Sequence, residues 1–230
     1  MRELKHSYPS VEKDGGASYG GNQTWSHRGV IREWGCGVIA AADLLLYLHW
    51  YREGCQTVVF DKIPKSAPIP LAAYERLLRE LGKRYFPVIP HFGMNGLGMA
   101  AGLNCYFRKH RLPLRARWAV WSKDIWTRME AMLSDDLPVI LAIGQNVPFF
   151  WMKHKLRLYM KNAQGRYQSA CTVRAHYVTV TGMDQRWLHV SSWGREYFIN
   201  REEYERYVKK YSSYFVSNIL DIRTKSERFE

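Results

Sequence analysis

The sequence predicts an α+β protein, with a helical lobe over about residues 36–112 packed on an antiparallel β-sheet lobe over about residues 113–230. Two observations lead to this class. Apolar residues recur at helical spacing early in the chain, whereas extended, β-branched runs dominate its second half. Elements segregated in this way are typical of α+β folds. Because 47% of the 230 residues are apolar, a single domain can bury a sizeable core.

The first helix is expected to be the centre of the helical lobe. It is predicted from residue 36 to residue 53, ends at Gly54 and is apolar on nearly every side, which is typical of an enclosed helix. Before it, residues 1–35 are expected to form a mostly irregular arm, because glycines mark turns there. Further helices are predicted at 71–81, 97–110, 123–133 and 201–211.

The sheet lobe is predicted from alternating or continuous apolar runs. Strands are expected at 114–120, 138–144, 155–161, 166–173, 175–181, 187–191 and 197–199, and the segment 214–222 is expected to close the sheet. Two helix starts carry capping residues. Ser122 precedes the helix at 123–133, and Asn200 with Glu203 forms a capping box before the helix at 201–211.

The best indication of function is a cysteine that begins the central helix. A helix N-terminus presents unpaired N–H groups and a positive dipole, both of which favour a thiolate and are expected to lower the pKa of Cys36. His176 follows 140 residues later in an extended run, where a strand would hold its ring stiffly. If folding brings the two groups together, the imidazole can accept the thiol proton and return it to a leaving group.

Several motifs together resemble the papain-like superfamily, and in particular the bacterial C39-like cysteine peptidases. The motifs are Gln23, the helix start Gly35-Cys36-Gly37, the run Pro138-Val139-Ile140-Leu141, the run Ala175-His176-Tyr177-Val178-Thr179-Val180-Thr181-Gly182 and the turn Ser191-Ser192-Trp193-Gly194. The resemblance implies a papain-like fold in which Cys36 is the nucleophile and His176 the general base and acid. It also implies that Gln23 donates to the oxyanion.

Further residues are assigned to the site through the same motifs. Gly35, Ser192 and Trp193 are expected to line it, and the Trp193 indole is expected to pack over the histidine. The family's third residue, an asparagine or aspartate, corresponds here to Ser191, whose hydroxyl can orient an imidazole but carries no charge. Ser192, Asp184 or a backbone carbonyl could serve in its place.

The glutamine also departs from the family pattern. Family members have it closer to the cysteine, at the position that Val30 holds here, whereas Gln23 lies 13 residues before Cys36. An insertion over residues 24–32 that loops out would restore the family's geometry.

The leading hypothesis is a thiol hydrolase, a cysteine peptidase that cleaves peptide or amide bonds through a Cys-His dyad or an incomplete triad. Transfer to an amine instead of water would make it an acyltransferase. Because the family's asparagine or aspartate is missing, a third hypothesis is a catalytically impaired peptide-binding module on the same fold. No cofactor is expected, and no cluster of His, Cys, Asp and Glu has zinc spacing.

The charge of the chain indicates anionic partners. The formal net charge is +13 at pH 7, which favours an acidic peptide substrate. Nucleic-acid binding is the least supported alternative. Basic and aromatic residues interleave at 106–108 and 117–118, but no nucleic-acid motif accompanies them.

The expected location is the cytoplasm. No apolar run reaches the roughly 18 to 20 residues of a membrane span, and residues 1–13 lack the pattern of a signal peptide. Four cysteines without CxxC spacing are typical of a reducing compartment. Cys55, Cys105 and Cys171 are expected to be inert core residues.

Overall fold

The structure of the protein is a computed structural model, and it describes residues 1–65, 68–119, 124–148 and 151–226. These residues form an α+β fold in which most strand pairs are antiparallel. The α-helices are α1 (Gly29–Trp34), α2 (Cys36–Tyr51), α3 (Leu71–Arg84), α4 (Gly96–Lys109), α5 (Ile125–Ser134) and α6 (Arg201–Tyr211), and a short 3-10 helix spans Gln23–Trp25. The strands are β1 (Arg2–Glu3), β2 (Val11–Lys13), β3 (Gly16–Ala17), β4 (Ile69–Pro70), β5 (Leu114–Trp118), β6 (Val139–Ile143), β7 (Leu156–Lys161), β8 (Tyr167–Val173), β9 (His176–Met183), β10 (Trp187–Ser192), β11 (Arg195–Asn200) and β12 (Leu220–Thr224).

The main sheet has seven strands and is organised around β9. Along one path the order is β1-β9-β10-β11-β7-β8, and β6 pairs with β9 beside β1. In that pairing Ile143 lies opposite His176 at the start of β9. Strands β5 and β12 form a separate two-stranded sheet, and β3, β2 and β4 form a three-stranded one.

The main sheet curls back on itself. Only Arg174 and Ala175 separate β8 from β9, so the facing ends of these strands lie within about 11 Å along the chain. In a flat sheet the same two strands would be about 19 Å apart, because four strand spacings separate them. The curvature therefore returns β8 toward the end of the sheet where β9 begins.

Helix α2 is enclosed by the rest of the fold, as predicted. Every residue from Gly37 to Leu48 is buried, and the helix packs against both β9 and α3. Burial on all sides explains why this buried stretch is apolar all round, with the single exception of Asp43. The packing of α2 on β9 places the first residues of the two elements beside each other.

The expectation of an irregular N-terminal arm is wrong in part. Residues Gly29–Trp34 form α1, and β1 joins the main sheet at the Gly182 and Met183 end of β9. Strand β1 is short and exposed on both faces, so it has no apolar alternation from which it could be predicted.

Two other expectations need correction. Strand β12 pairs with β5 in its own sheet and reaches the main sheet only through a bridge between Ile219 and Leu141. Ser122 lies outside the described residues, and α5 begins after Asp124, whose carboxylate accepts from the N–H groups of the first turn. The Asn200 cap is confirmed, since its side chain accepts from the Glu203 N–H at 3.1 Å.

Candidate active site

Cys36 is the first residue of α2, and the glycine before it joins two helices. Gly35 ends α1 and caps α2, and its carbonyl accepts from the Ile39 N–H at 3.1 Å. A Cβ at Gly35 would lie 2.3 Å from the Ile31 carbonyl oxygen, so only glycine fits this junction. The junction aims the start of α2, with its unpaired N–H groups, at the sheet.

The thiol has backbone donors around it, but burial dominates its ionisation. Burial raises the pKa of the Cys36 thiol, and hydrogen bonds from the backbone N–H groups of Tyr177, Gly37 and Cys36 lower it only in part. The expectation of a lowered thiol pKa is therefore wrong. The helix dipole and the N–H groups do lower the thiol pKa, but the low-dielectric surroundings of the sulfur raise it by more.

His176 begins β9 and is held on two sides. Its Nε2 lies 2.8 Å from the Ser192 hydroxyl, and its ring stacks on the Trp193 indole with centroids 4.4 Å apart. The packing predicted for Trp193 is therefore confirmed. The side chain is only 8% exposed, and burial lowers the pKa of the imidazole to about 4. The His176 imidazole is thus neutral near pH 7, and its ring has a fixed orientation.

The imidazole partner is Ser192 and not Ser191. The Ser191 hydroxyl donates to the Tyr19 carbonyl at 2.8 Å, so it anchors the N-terminal segment instead of orienting His176. Adjacent residues of a strand project to opposite faces, so only one of the two serines can take this role. Asp184 does not serve either, because its carboxylate accepts from the Arg186 and Trp187 N–H groups in a turn.

Gln23 lies beside the site but its amide is already engaged. The Nε2 group donates to the Arg32 and Glu33 carbonyls at 3.2 and 3.1 Å, near the C-terminal end of α1. Residues 24–32 do not loop out. They form part of the 3-10 helix and of α1, which brings Gln23 against those carbonyls. An oxyanion role would require this amide to exchange partners, so the present geometry does not supply the predicted donor.

One pocket brings together all of the predicted site residues except Gly35, which caps α2 behind Cys36 and does not line the pocket. It holds a space of about 270 Å³, part of it open to solvent, between α2, the start of β9 and the end of β10. Its lining comprises Gly21, Gln23, Cys36, Ile39, Ala40, Asp43, His176, Tyr177, Val178, Thr179, Ser191, Ser192 and Trp193. Within the described part of the chain no direct hydrogen bond joins the Cys36 sulfur to the imidazole. Proton transfer between them therefore requires the two groups to approach each other or a bridging group.

The sequence-based assignment missed Asp43. This carboxylate lines the same pocket and is 2% exposed. Its signal in the sequence is a single acidic residue in the middle of an otherwise apolar helix, seven positions after Cys36 and thus about two turns along the same side. A buried acid of this kind needs built-in partners.

Of the three other cysteines, which were expected to lie in the core, two do not. Cys55 is buried, as expected, but Cys105 and Cys171 are partly exposed, and all are free thiols. The described ranges hold no group of three or more His, Cys, Asp or Glu side chains suited to a metal ion. Among the helices of those ranges, none has the length and apolar character to cross a membrane.

The fold and the pocket define an α+β protein in which a partly exposed cysteine and a buried histidine line one pocket. Comparison with protein-family models, with curated proteins and with solved structures found no match to this chain.

Proposed function

We propose that the protein is a thiol hydrolase of the papain-like, C39-like type, which cleaves peptide or amide bonds. One observation carries the proposal. Cys36 and His176 are 140 residues apart in the sequence, yet both line a single pocket, one at the start of a helix and the other at the start of a strand. A nucleophile and a base held on rigid elements beside each other are what covalent acyl transfer requires.

The proposed reaction begins from a neutral pair. Ser192 occupies Nε2 of His176, so Nδ1 is the ring nitrogen that can take the thiol proton. Both pKa directions favour thiol and neutral imidazole in the free protein. His176 therefore acts as a general base during attack, with the Cys36 sulfur bonding to the substrate carbonyl carbon as its proton leaves.

The remaining steps follow from the same two groups. The tetrahedral oxyanion faces the start of α2, where the Cys36 backbone N–H belongs to the helix end that lacks intrahelical acceptors. The imidazolium then protonates the leaving amine as the C–N bond breaks, which leaves a thioester on Cys36. Water attacks the thioester, its proton passes to His176, and the thiol is restored with release of the carboxylic acid.

The experiment compares modification of Cys36 with that of a second, similarly part-exposed cysteine on the same molecule. Iodoacetamide labelling at neutral pH, resolved by peptide mass mapping, gives separate rates for Cys36 and Cys105. In the His176→Gln variant we expect the Cys36 rate to fall by about 100-fold, which is a common contribution of a general base, while the Cys105 rate stays unchanged. Equal Cys36 rates in the variant and the parent would contradict the proposal.

A turnover measurement complements the labelling. Peptide-library hydrolysis by the parent should disappear in Cys36→Ala and persist in Cys105→Ala. The library includes acidic and neutral peptides, because the net charge of +13 predicts faster cleavage of the acidic members. Hydrolysis that survives in Cys36→Ala would remove the cysteine from the mechanism.

A second function is favoured by the identity of the imidazole partner. Ser192 is neutral, whereas a carboxylate would stabilise an imidazolium far better. A peptide-binding module on the same fold would bind library peptides without cleaving them. Its Cys36 labelling rate would also be independent of His176, which separates it from the hydrolase.

A further inference from the structure

Asp43 is the one acidic group in the buried stretch of α2, and its partners are built in. Its Oδ1 accepts from the Tyr74 hydroxyl at 2.6 Å, and its Oδ2 accepts from the Gly21 N–H at 2.9 Å. Tyr74 is itself fully buried on α3. Burial raises the pKa of the Asp43 carboxyl to about 7, although the bonds from Tyr74 and Gly21 lower it. A buried carboxyl is costly, and these specific contacts offset part of the cost.

The segment that Asp43 holds is packed closely against its neighbours. Gly20 has φ +77, and a Cβ there would lie 2.2 Å from the Ser191 hydroxyl and 2.7 Å from Asp43 Oδ2. At Gly21 a Cβ would lie 2.0 Å from the Tyr74 hydroxyl oxygen. The segment 19–21 is therefore held closely between the two helices and β10, and only glycine fits at positions 20 and 21.

The same segment holds the turn that covers the imidazole. The Gly194 N–H donates to the Gly21 carbonyl, and the Tyr19 N–H donates to the Gly194 carbonyl, both at 2.9 Å. Trp193 and Gly194 have φ +49 and +72, a conformation that a tryptophan adopts only when its surroundings enforce it. Trp193 in turn stacks on His176. A continuous set of contacts thus leads from Asp43 through Gly21 to the imidazole.

We propose that Asp43 is a positioning residue for the Cys36–His176 pocket, acting through Gly21 and the Trp193–Gly194 turn. The catalytic importance of this positioning rests on the proposed function. Asp43 does not touch the reacting atoms. It fixes the wall that excludes water from His176 and keeps the ring against Ser192.

The test uses two replacements of Asp43 with different hydrogen-bonding capacity. Asp43→Ala removes both acceptors. Asp43→Asn keeps a carbonyl oxygen for the Gly21 N–H and offers an amide donor to the Tyr74 oxygen. The readout is the NMR titration of the His176 ring in the whole protein, because the imidazole pKa reports how much water reaches it.

We expect the His176 pKa to rise from about 4 in the parent by about one pH unit or more in Asp43→Ala, as water enters. Asp43→Asn should leave it low. Leu44→Ala is the matched control, because Leu44 is the buried neighbour on α2 and is not in the pocket. It loses stability but does not line the pocket, so its His176 titration should match the parent.

A His176 titration in Asp43→Ala equal to that of Leu44→Ala would overturn the proposal. If Asp43→Ala does not fold, Tyr74→Phe removes one of the two bonds, and its His176 pKa should rise in the same direction by less. An unchanged titration in Tyr74→Phe would then count against the positioning role. None of these measurements needs turnover, so their failure is distinguishable from failure of the hydrolase proposal, which depends on Cys36 labelling and peptide cleavage.

Discussion

Acidification should destabilise the fold through the buried imidazole of His176. Burial lowers the pKa of this group from 6.5 to about 4, so between these values the unfolded chain binds a proton that the folded protein does not. Stability therefore rises with pH across this window and is lost as the pH falls from 6.5 toward 4. At about 1.4 kcal/mol per pKa unit, the free energy at stake is about 3 kcal/mol.

The assay is urea unfolding of the parent and of His176→Gln, each at about pH 7 and about pH 4.5. Glutamine does not titrate, and it can still meet the Ser192 hydroxyl with either end of its amide. The parent should lose about 2 to 3 kcal/mol more than the variant between the two pH values. Burial also lowers the pKa of three other histidines, but these titrate in both proteins and cancel in the comparison.

An equal loss in the two proteins would refute the reasoning, because it would mean that His176 takes up its proton without unfolding the pocket. A larger loss of unfolding free energy in the variant than in the parent would refute it as well. A lower stability of His176→Gln at both pH values would be uninformative by itself, since only the difference between the pH dependences reports on the imidazole.

Three further predictions concern stability and are checked by the same urea measurement at neutral pH. Ser192→Ala leaves the buried Nε2 of His176 without its partner and should cost about 1 to 2 kcal/mol. Leu45→Ala removes a side chain that is 2% exposed at the centre of α2 and should cost about 3 kcal/mol, whereas Leu97→Ala, 58% exposed, should cost less than about 0.5 kcal/mol. Asn200→Ala removes the cap of α6 and should cost about 1 kcal/mol, which Asn200→Asp should largely restore. Equal costs for the two leucine variants, or a fully stable Asn200→Ala, would contradict these assignments.

Local signals predicted most of the elements because each depends on neighbouring residues. The apolar run after Cys36 predicts the central helix, and the turn at 162–165 predicts the hairpin of β7 and β8. Asn200 and Glu203 gave the start of α6 for the same reason, since a cap is formed within one turn. The partner of β12 was not predictable in this way. A strand carries its own apolar pattern, but its neighbour in the sheet is decided by packing across the whole molecule.

The sequence predicted which residues form the candidate site better than it predicted the contacts that those residues make. Cys36 and His176 stand out by residue type and by the element that carries each, and the structure places them in one pocket. The choice between Ser191 and Ser192 depends on which face of β10 meets the imidazole, and a one-residue change of register reverses it. The engagement of Gln23 depends on how α1 folds back, which no local pattern specifies.

The ionisation of the thiol shows why local reasoning fails for a buried charge. The helix start supplies donors to the Cys36 sulfur, and these are real contributions toward a thiolate. The same burial that raises the thiol pKa lowers the imidazole pKa, so both shifts oppose an ion pair. A hydroxyl can donate to or accept from a neutral ring nitrogen, whereas a carboxylate gains most from an imidazolium. Ser192 is therefore a suitable partner for a histidine that stays neutral until the sulfur attacks.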